Sequence, residues 1–182
     1  MKALIFFAPG LEECEGLVTV DLLRRAGVEV LIAAVSDEIM ITGAHGITIR
    51  CDALASEVST EMYDAVILPG GMPGTENLYQ SELVRHTAKW FSVEGRLVAA
   101  ICAAPTVLGR IGILEGRRAT CYPGCEDQLI GAEIVRAEAV QDQNIITGAG
   151  LGAAIPFALA VIAALEGNET AERVKASIVY QH

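Results

Sequence analysis

Residues 97–105 read Leu97-Val98-Ala99-Ala100-Ile101-Cys102-Ala103-Ala104-Pro105 and set the architecture expected for this 182-residue chain. The apolar run before the cysteine predicts a strand buried on both faces, as in a parallel sheet covered by helices. Cys102 follows this strand directly, and Pro105 suits the first turn of a helix. The stretch therefore predicts a tight strand-to-helix turn that carries a cysteine at the carboxyl edge of a sheet.

Short β-rich runs alternate with helical patterns along the rest of the chain. Strands are predicted at Lys2–Phe7, Glu29–Ala34, Ala65–Leu68, Leu97–Ile101 and Asn144–Thr147, with a hairpin of Ile39–Ile41 and Ile47–Ile49. Helices are predicted at Glu13–Ala26, Ser81–Glu94, Pro105–Ile111, Ala154–Leu165 and Thr170–Ser177. This alternation predicts an α/β sandwich around a mostly parallel central sheet, in a single domain spanning residues 1–182.

The composition is that of a globular protein with a strongly acidic charge. Hydrophobic residues make up 52% of the chain and charged residues 20%, which favours a packed core over disorder. The formal net charge is −10 and no Lys/Arg cluster occurs, which argues against nucleic-acid and anionic-membrane partners. The uncharged stretch Gly148–Leu165 opens with glycines, and its helical part is too short to cross a bilayer.

The cysteines indicate a reducing compartment. The chain has five of them, an odd number that does not suit a disulfide framework. The apolar N-terminal run is also followed by acidic residues where a signal peptide would have its cleavage site. We therefore expect free thiols and a cytoplasmic protein. Cys121 and Cys125 form a C-x3-C pair without a histidine nearby in sequence, so no zinc site is predicted.

The predicted strands end in residues that carry chemistry. These strand ends are Pro9–Glu15, Pro69–Gly74, Cys102 and Gly148–Gly152. Because ligands of open parallel sheets bind beyond the carboxyl ends of the strands, we expect the functional site there. The last of these turns is close to the dinucleotide-binding fingerprint, but it follows the final predicted strand rather than opening a βαβ unit. NAD and other cofactors are therefore not expected.

Cys102 is the candidate nucleophile of this edge. A cysteine on such a turn faces the N–H groups of the next helix, and these favour the thiolate over the thiol. The alternative to a reactive thiol is a buried structural cysteine. Three glutamates, Glu12, Glu13 and Glu15, lie at a predicted helix start. They either complement the helix dipole, or one of their carboxyl groups lies beside Cys102 and shares a proton with it.

Two further features of this edge have alternative interpretations. The glycines Gly70 and Gly71 allow either a tight turn or a close backbone approach, with an N–H that stabilises an oxyanion. The histidines His45, His86 and His182 are interpreted as polar residues of a hairpin tip, a solvated helix and the terminus. No Cys–His dyad can be assigned from the sequence.

Together these motifs resemble the DJ-1/ThiJ/PfpI superfamily, which is related to class I glutamine amidotransferases. The resemblance is carried by Glu12–Glu15, Leu68–Gly71, Ala99–Pro105 and Gly148–Phe157, in this order over essentially the whole chain. It implies a flavodoxin-like three-layer sandwich, usually dimeric, with a cysteine nucleophile elbow. It further implies Cys102 as the nucleophile, Glu15 as its partner, and the Gly71 and Ala103 amides as the oxyanion site, with Gly70 beside them.

Ala103 after the cysteine resembles the DJ-1/ThiJ branch, whereas PfpI-like peptidases and chaperone-glyoxalases carry histidine there. Peptidase or glutaminase activity is therefore not expected. The branch implies cofactor-independent glyoxalase or deglycase conversion of methylglyoxal and glyoxal. The alternatives are a redox sensor whose Cys102 is oxidised to sulfinic acid by peroxide, and a chaperone-like dimer.

Two positions depart from the pattern of the relatives. Tyr122 stands where several relatives have a loop histidine, and its hydroxyl is able to donate a hydrogen bond. His45 stands where relatives usually have arginine in the hairpin turn. Cys121 is a candidate to resolve a sulfenic acid on Cys102, provided that the fold brings the two thiols close.

Overall fold

A computed structural model describes residues 1–181. Its strands are β1 (Lys2–Phe7), β2 (Glu29–Ala34), β3 (Met40–Thr42), β4 (Thr48–Arg50), β5 (Ala53–Leu54), β6 (Ala65–Leu68), β7 (Leu97–Ile101), β8 (Arg118–Ala119), β9 (Glu133–Ile134), β10 (Ala139–Asp142) and β11 (Ile145–Gly148). Its helices are α1 (Glu13–Arg25), α2 (Gly74–Gln80), α3 (Glu82–Val93), α4 (Pro105–Arg110), α5 (Ala154–Glu166) and α6 (Asn168–Ser177).

The central sheet has seven strands in the order β10–β11–β7–β6–β1–β2–β5. All neighbours are parallel except β10 and β11, which pair antiparallel at one edge. The mostly parallel α/β architecture predicted from the sequence is confirmed. The predicted hairpin is also present, as the separate antiparallel pair of β3 and β4.

Side chains alternate between the two faces of the sheet and define two apolar layers. In β1, Ala3, Ile5 and Phe7 belong to the cluster that includes α1, α5 and α6. The intervening Leu4 and Phe6 belong to the cluster that includes α2, α3 and α4. All residues of β7 are buried, so the strand that leads to Cys102 is held from both sides.

Several features of the sheet and its helices differ from the sequence prediction, which contained none of the short strands β5, β8, β9 and β10. The last parallel strand covers Ile145–Gly148 rather than Asn144–Thr147, and Gly148 pairs with Ile101 on one side and Ala139 on the other. Helix α2 was not predicted. It is fixed by tertiary contacts with α4, where Arg110 forms a 2.7 Å ion pair with Glu76.

Helix α5 is the apolar stretch that precedes the C-terminal helix. It packs against α1, α6 and the sheet as part of the first apolar cluster. Within residues 1–181 no helix has the length and apolar character needed to span a membrane.

Candidate active site

Cys102 occupies a sharp turn between β7 and α4. Its φ is +65°, a left-handed conformation that costs a non-glycine residue about 1–3 kcal/mol and must be held by its surroundings. The Cys102 N–H donates to the Gly148 carbonyl at 2.9 Å, and the Tyr122 N–H donates to the Cys102 carbonyl at 2.8 Å. The predicted nucleophile elbow is therefore present, with its backbone fixed on both sides.

Glu15, in the first turn of α1, is the acid that meets Cys102. Its side chain is buried, and its carboxyl group interacts with the neighbouring Cys102 thiol. Oε2 also accepts from the Gly70 N–H at 3.0 Å. Among the described residues, Oε1 is buried and accepts no hydrogen bond of normal geometry. A buried carboxyl with an unmet oxygen is well suited to carry a proton.

Gly70 is what lets these two groups meet. A Cβ atom at Gly70 would lie 2.5 Å from the Cys102 Cβ and 2.7 Å from Glu15 Oε2, so any side chain would occupy the site. The neighbouring Gly71 has a φ of +91°, and its Cβ would lie 2.2 Å from the Glu12 nitrogen. The glycine pair therefore provides both a tight turn, at Gly71, and a close approach of the backbone to Cys102 and Glu15, at Gly70.

The Gly71 and Ala103 amides act on the Cys102 sulfur. They lower the pKa of the thiol, because they stabilise its negative form. These are the two amides that the family resemblance implies as an oxyanion site. In this structure they face the Cys102 sulfur.

The pKa of Cys102 differs from the sequence-based expectation. The helix start was expected to favour the thiolate, yet burial and the adjacent Glu15 carboxylate raise the pKa of Cys102 to about 12 and outweigh the two amides. Burial raises the pKa of Glu15 to about 7, although its bonds to Cys102 and Gly70 oppose the rise. Between about pH 7 and 12 the pair holds one proton, and a thiolate forms when that proton moves from Cys102 to Glu15.

The two auxiliary candidates lie in different places. Tyr122 is 54% exposed, and its ring flanks Gly150. A Cβ atom built on Gly150 would lie 3.4 Å from Tyr122 Cδ2 and 3.9 Å from Cys102 Sγ. Cys121 is buried in the apolar cluster of α2, α3 and α4, whereas Cys102 packs against the cluster on the other face of the sheet. The structure thus places the Tyr122 ring beside Gly150 on the Cys102 side and the side chain of Cys121 in the opposite apolar layer.

A second carboxyl of α1 anchors the β3–β4 hairpin. Glu13 is buried, and its Oε1 accepts from the N–H groups of His45 and Ile47 at 2.8 and 3.2 Å. Its Oε2 lies 2.9 Å from His45 Nδ1, which is also 3.2 Å from Glu12 Oε2. The interpretation of His45 as a polar tip residue was therefore incomplete. In the sequence, the only sign that His45 is special was that relatives usually have arginine at this position of the hairpin turn.

The profile of the DJ-1/PfpI family matches residues 1–164. A curated relative, DJ-1 homolog B of Arabidopsis thaliana, is 37% identical over 180 residues, which cover 98% of this chain. This chain belongs to the DJ-1/PfpI family. It spans only 41% of the length of that Arabidopsis relative.

Two further relatives of this DJ-1/PfpI protein bear on its fold and chemistry. The structure of oxidized DJ-1 from Toxoplasma gondii superposes with a TM-score of 0.96 at 36% identity, covering 100% of this chain and 99% of that one. A Pyrococcus abyssi protein named a deglycase is 38% identical over 149 residues, 81% of this chain and 89% of its own length. The predicted family and flavodoxin-like sandwich are thereby confirmed.

The Glu13 anchor of this DJ-1/PfpI protein predicts an acid-sensitive stability. Burial raises the pKa of Glu13, but the hydrogen bonds from His45 and Ile47 outweigh it and lower the pKa to about 2. Because the folded pKa lies below the reference value of 4.5, this stabilisation is present above pH 4.5 and is lost as the pH falls towards 2. Glu13→Gln is expected to unfold more easily at pH 7 by about 1–3 kcal/mol.

Urea unfolding of wild type and Glu13→Gln across this pH range measures the effect. The variant should lose less stability than wild type between pH 4.5 and 2. The exposed Glu57 provides a control, since Glu57→Gln makes the same chemical change without a buried partner. Equal stability and equal pH dependence of Glu13→Gln and wild type would contradict the anchoring role.

Proposed function

We propose that this protein is a cysteine-dependent, cofactor-independent enzyme that converts small 2-oxoaldehydes, such as methylglyoxal and glyoxal, into hydroxy acids. The observation that carries the proposal is the buried Glu15 carboxyl, whose pKa is raised to about 7, beside Cys102 at the Gly70 turn. An acid–base group with a pKa near the working pH is the one best able to move protons. The deglycase name of the Pyrococcus relative supports the same class of chemistry.

In the first step the Cys102 thiol passes its proton to Glu15, and the sulfur attacks the aldehyde carbon. The C=O π electrons move to the aldehyde oxygen, which takes the proton back from Glu15, and a hemithioacetal forms. The site is suited to this step because the thiol and the carboxyl interact directly. Cys102 is only partly buried.

In the second step Glu15 relocates a proton within the bound substrate. Its carboxylate removes the hydrogen from the former aldehyde carbon, the C–H electrons form a C=C bond, and the neighbouring carbonyl oxygen takes that proton from Glu15, giving an enediol. Glu15 then takes the hydroxyl proton of the sulfur-bearing carbon, whose C=O re-forms, and delivers it to the neighbouring carbon. The product is a thioester of the hydroxy acid with Cys102. Water then cleaves the C–S bond, which releases lactate from methylglyoxal or glycolate from glyoxal and restores the thiol. No oxidant or reductant is consumed.

The test is the formation of lactate from methylglyoxal by the purified protein. The proposal expects lactate to appear in amounts many times larger than the amount of enzyme, without added cofactor. Consumption of methylglyoxal that stops at one equivalent per Cys102, with no lactate, would overturn it. That result would describe a trap for aldehydes rather than an enzyme.

A second candidate function is redox sensing by Cys102. The sulfur is surrounded by the Gly71 and Ala103 amides and by Glu15, which are hydrogen-bond donors for sulfinate oxygens once Glu15 is protonated. One peroxide would oxidise the thiol to sulfenic acid and a second would give sulfinic acid, each releasing water. The oxidized state named for the Toxoplasma structure supports this chemistry in a relative.

Graded peroxide treatment followed by peptide mass spectrometry tests the second candidate. Cys102 is expected to reach sulfinic acid at peroxide doses that leave the exposed Cys14 largely unmodified. The physical reason is that the Cys102 site offers donors to the oxidised sulfur, whereas exposure alone offers only access. Parallel oxidation of all five cysteines would remove the basis for a dedicated sensor.

A further inference from the structure

A cavity of about 580 Å³ lies next to the candidate active site. Its walls are formed by Thr120, Cys121, Pro123, Glu126, residues 134–138 and Ala149. A second groove of about 470 Å³ is lined by Tyr122, Pro123, Glu138 and residues 149–153. Both volumes lie within the range of small-molecule sites. Neither cavity is used by the proposed conversion of methylglyoxal.

The two spaces are neighbours, and the groove approaches Cys102. Pro123, Glu138 and Ala149 line both of them. Tyr122 and Gly150 line the groove, and a Cβ atom built on Gly150 would lie 3.9 Å from Cys102 Sγ. A molecule bonded to Cys102 is therefore able to extend along the groove towards the larger cavity.

The walls of the larger cavity are suited to an uncharged apolar group. Pro123, Ile134, Val135, Ala137 and Ala149 present aliphatic surface. Arg136 is the one basic residue among the lining residues. Its positive charge attracts the Glu126 carboxylate and helps to lower the pKa of Glu126.

Glu138 adds a second acid to the same wall. An anionic tail would therefore have to compete with these two carboxyl groups for Arg136, whereas an apolar tail needs only the aliphatic surface.

We propose that this cavity binds the apolar tail of a 2-oxoaldehyde that carries an aromatic or branched aliphatic group. The inference rests on the proposed function and makes it more specific. Methylglyoxal carries only a methyl group and glyoxal none, so both leave the cavity empty. A bulky tail buries apolar surface there and holds the aldehyde carbon near Cys102, which raises kcat/KM.

Phenylglyoxal, assayed by initial rates beside methylglyoxal, tests the inference. In wild type kcat/KM for phenylglyoxal is expected to exceed that for methylglyoxal by at least about tenfold. Ala137→Trp should fill the cavity and reduce this ratio by about tenfold or more. Ala137 is exposed and its contact with Thr120 uses the backbone carbonyl, so the substitution keeps that hydrogen bond.

A matched control is Met62→Trp, which adds the same ring at an exposed position outside both cavities. Its ratio should equal that of wild type. Equal or better use of methylglyoxal by wild type, or an unchanged ratio in Ala137→Trp, would overturn the inference while leaving the proposed function standing.

Failure of the proposed function gives a different result, because then neither aldehyde is turned over. Binding of acetophenone, a non-aldehyde analogue with the same ring, still tests the cavity. In amide NMR spectra its shifts should centre on Thr120 and residues 134–138 in wild type and be lost in Ala137→Trp. Absence of these shifts in wild type would refute the cavity assignment by itself.

Discussion

Cys102→Ser is expected to abolish lactate formation from methylglyoxal, with kcat/KM falling by at least about 10³-fold. The serine hydroxyl has nearly the shape of the thiol but is a far weaker nucleophile, because it does not give up its proton to a carboxyl with a pKa of about 7. Without the sulfur no hemithioacetal forms, and Glu15 has no bound substrate on which to move a proton. Steady-state lactate assays with equal amounts of folded protein measure the effect.

Cys14 supplies the control for this variant. It is an exposed free thiol on the same helix as Glu15, and the mechanism gives it no role. Cys14→Ser should therefore retain wild-type kcat/KM. Full lactate formation by Cys102→Ser would show that the elbow thiol is not the nucleophile.

Glu15→Gln is expected to reduce kcat by about 10²–10⁴-fold, the usual contribution of a positioned acid–base group. Glutamine keeps the length of the side chain and an oxygen that can accept from the Gly70 N–H, so the elbow should keep its shape. It has no carboxylate to take the thiol proton or the carbon-bound hydrogen. The loss should therefore fall mainly on kcat rather than on KM.

Glu15→Asp separates chemistry from geometry. It keeps the carboxyl group but withdraws it by one methylene from Cys102, so its activity should lie between those of wild type and Glu15→Gln. Circular dichroism and thermal unfolding check that each variant is folded. Wild-type kcat in either variant would remove Glu15 from the mechanism.

Much of the fold was visible in the sequence because it depends on local apolar patterns. The predicted bounds of β1, β2, β6 and β7 agree with the structure, and the elbow followed from an apolar strand that ends directly in Cys102 before Pro105. Helix α2 was missed because it starts at Gly74 and owes its place to Glu76 and Arg110. Tertiary contacts of this kind override local propensity.

The chemistry of the site depended on contacts that a sequence does not contain. The glutamates at the start of α1 look alike in sequence. The family resemblance singled out Glu15 as the partner of Cys102, whereas only the fold shows that Glu13 meets His45. The raised pKa of Cys102 likewise results from its burial beside a carboxylate, which outweighs the helix start. The homodimer, the cytoplasmic location and the independence from cofactors stay predictions.

The shared proton of Cys102 and Glu15 is the central claim, and the pH dependence of Cys102 alkylation tests it most directly. The rate is followed by mass spectrometry on the peptide that contains Cys102, in wild type and in Glu15→Gln. In wild type it should rise through an inflection near pH 7, because above it Glu15 is free to accept the thiol proton. Glu15→Gln should lack this inflection. A single inflection near the free-cysteine value of about 8.5 in both proteins would contradict the account.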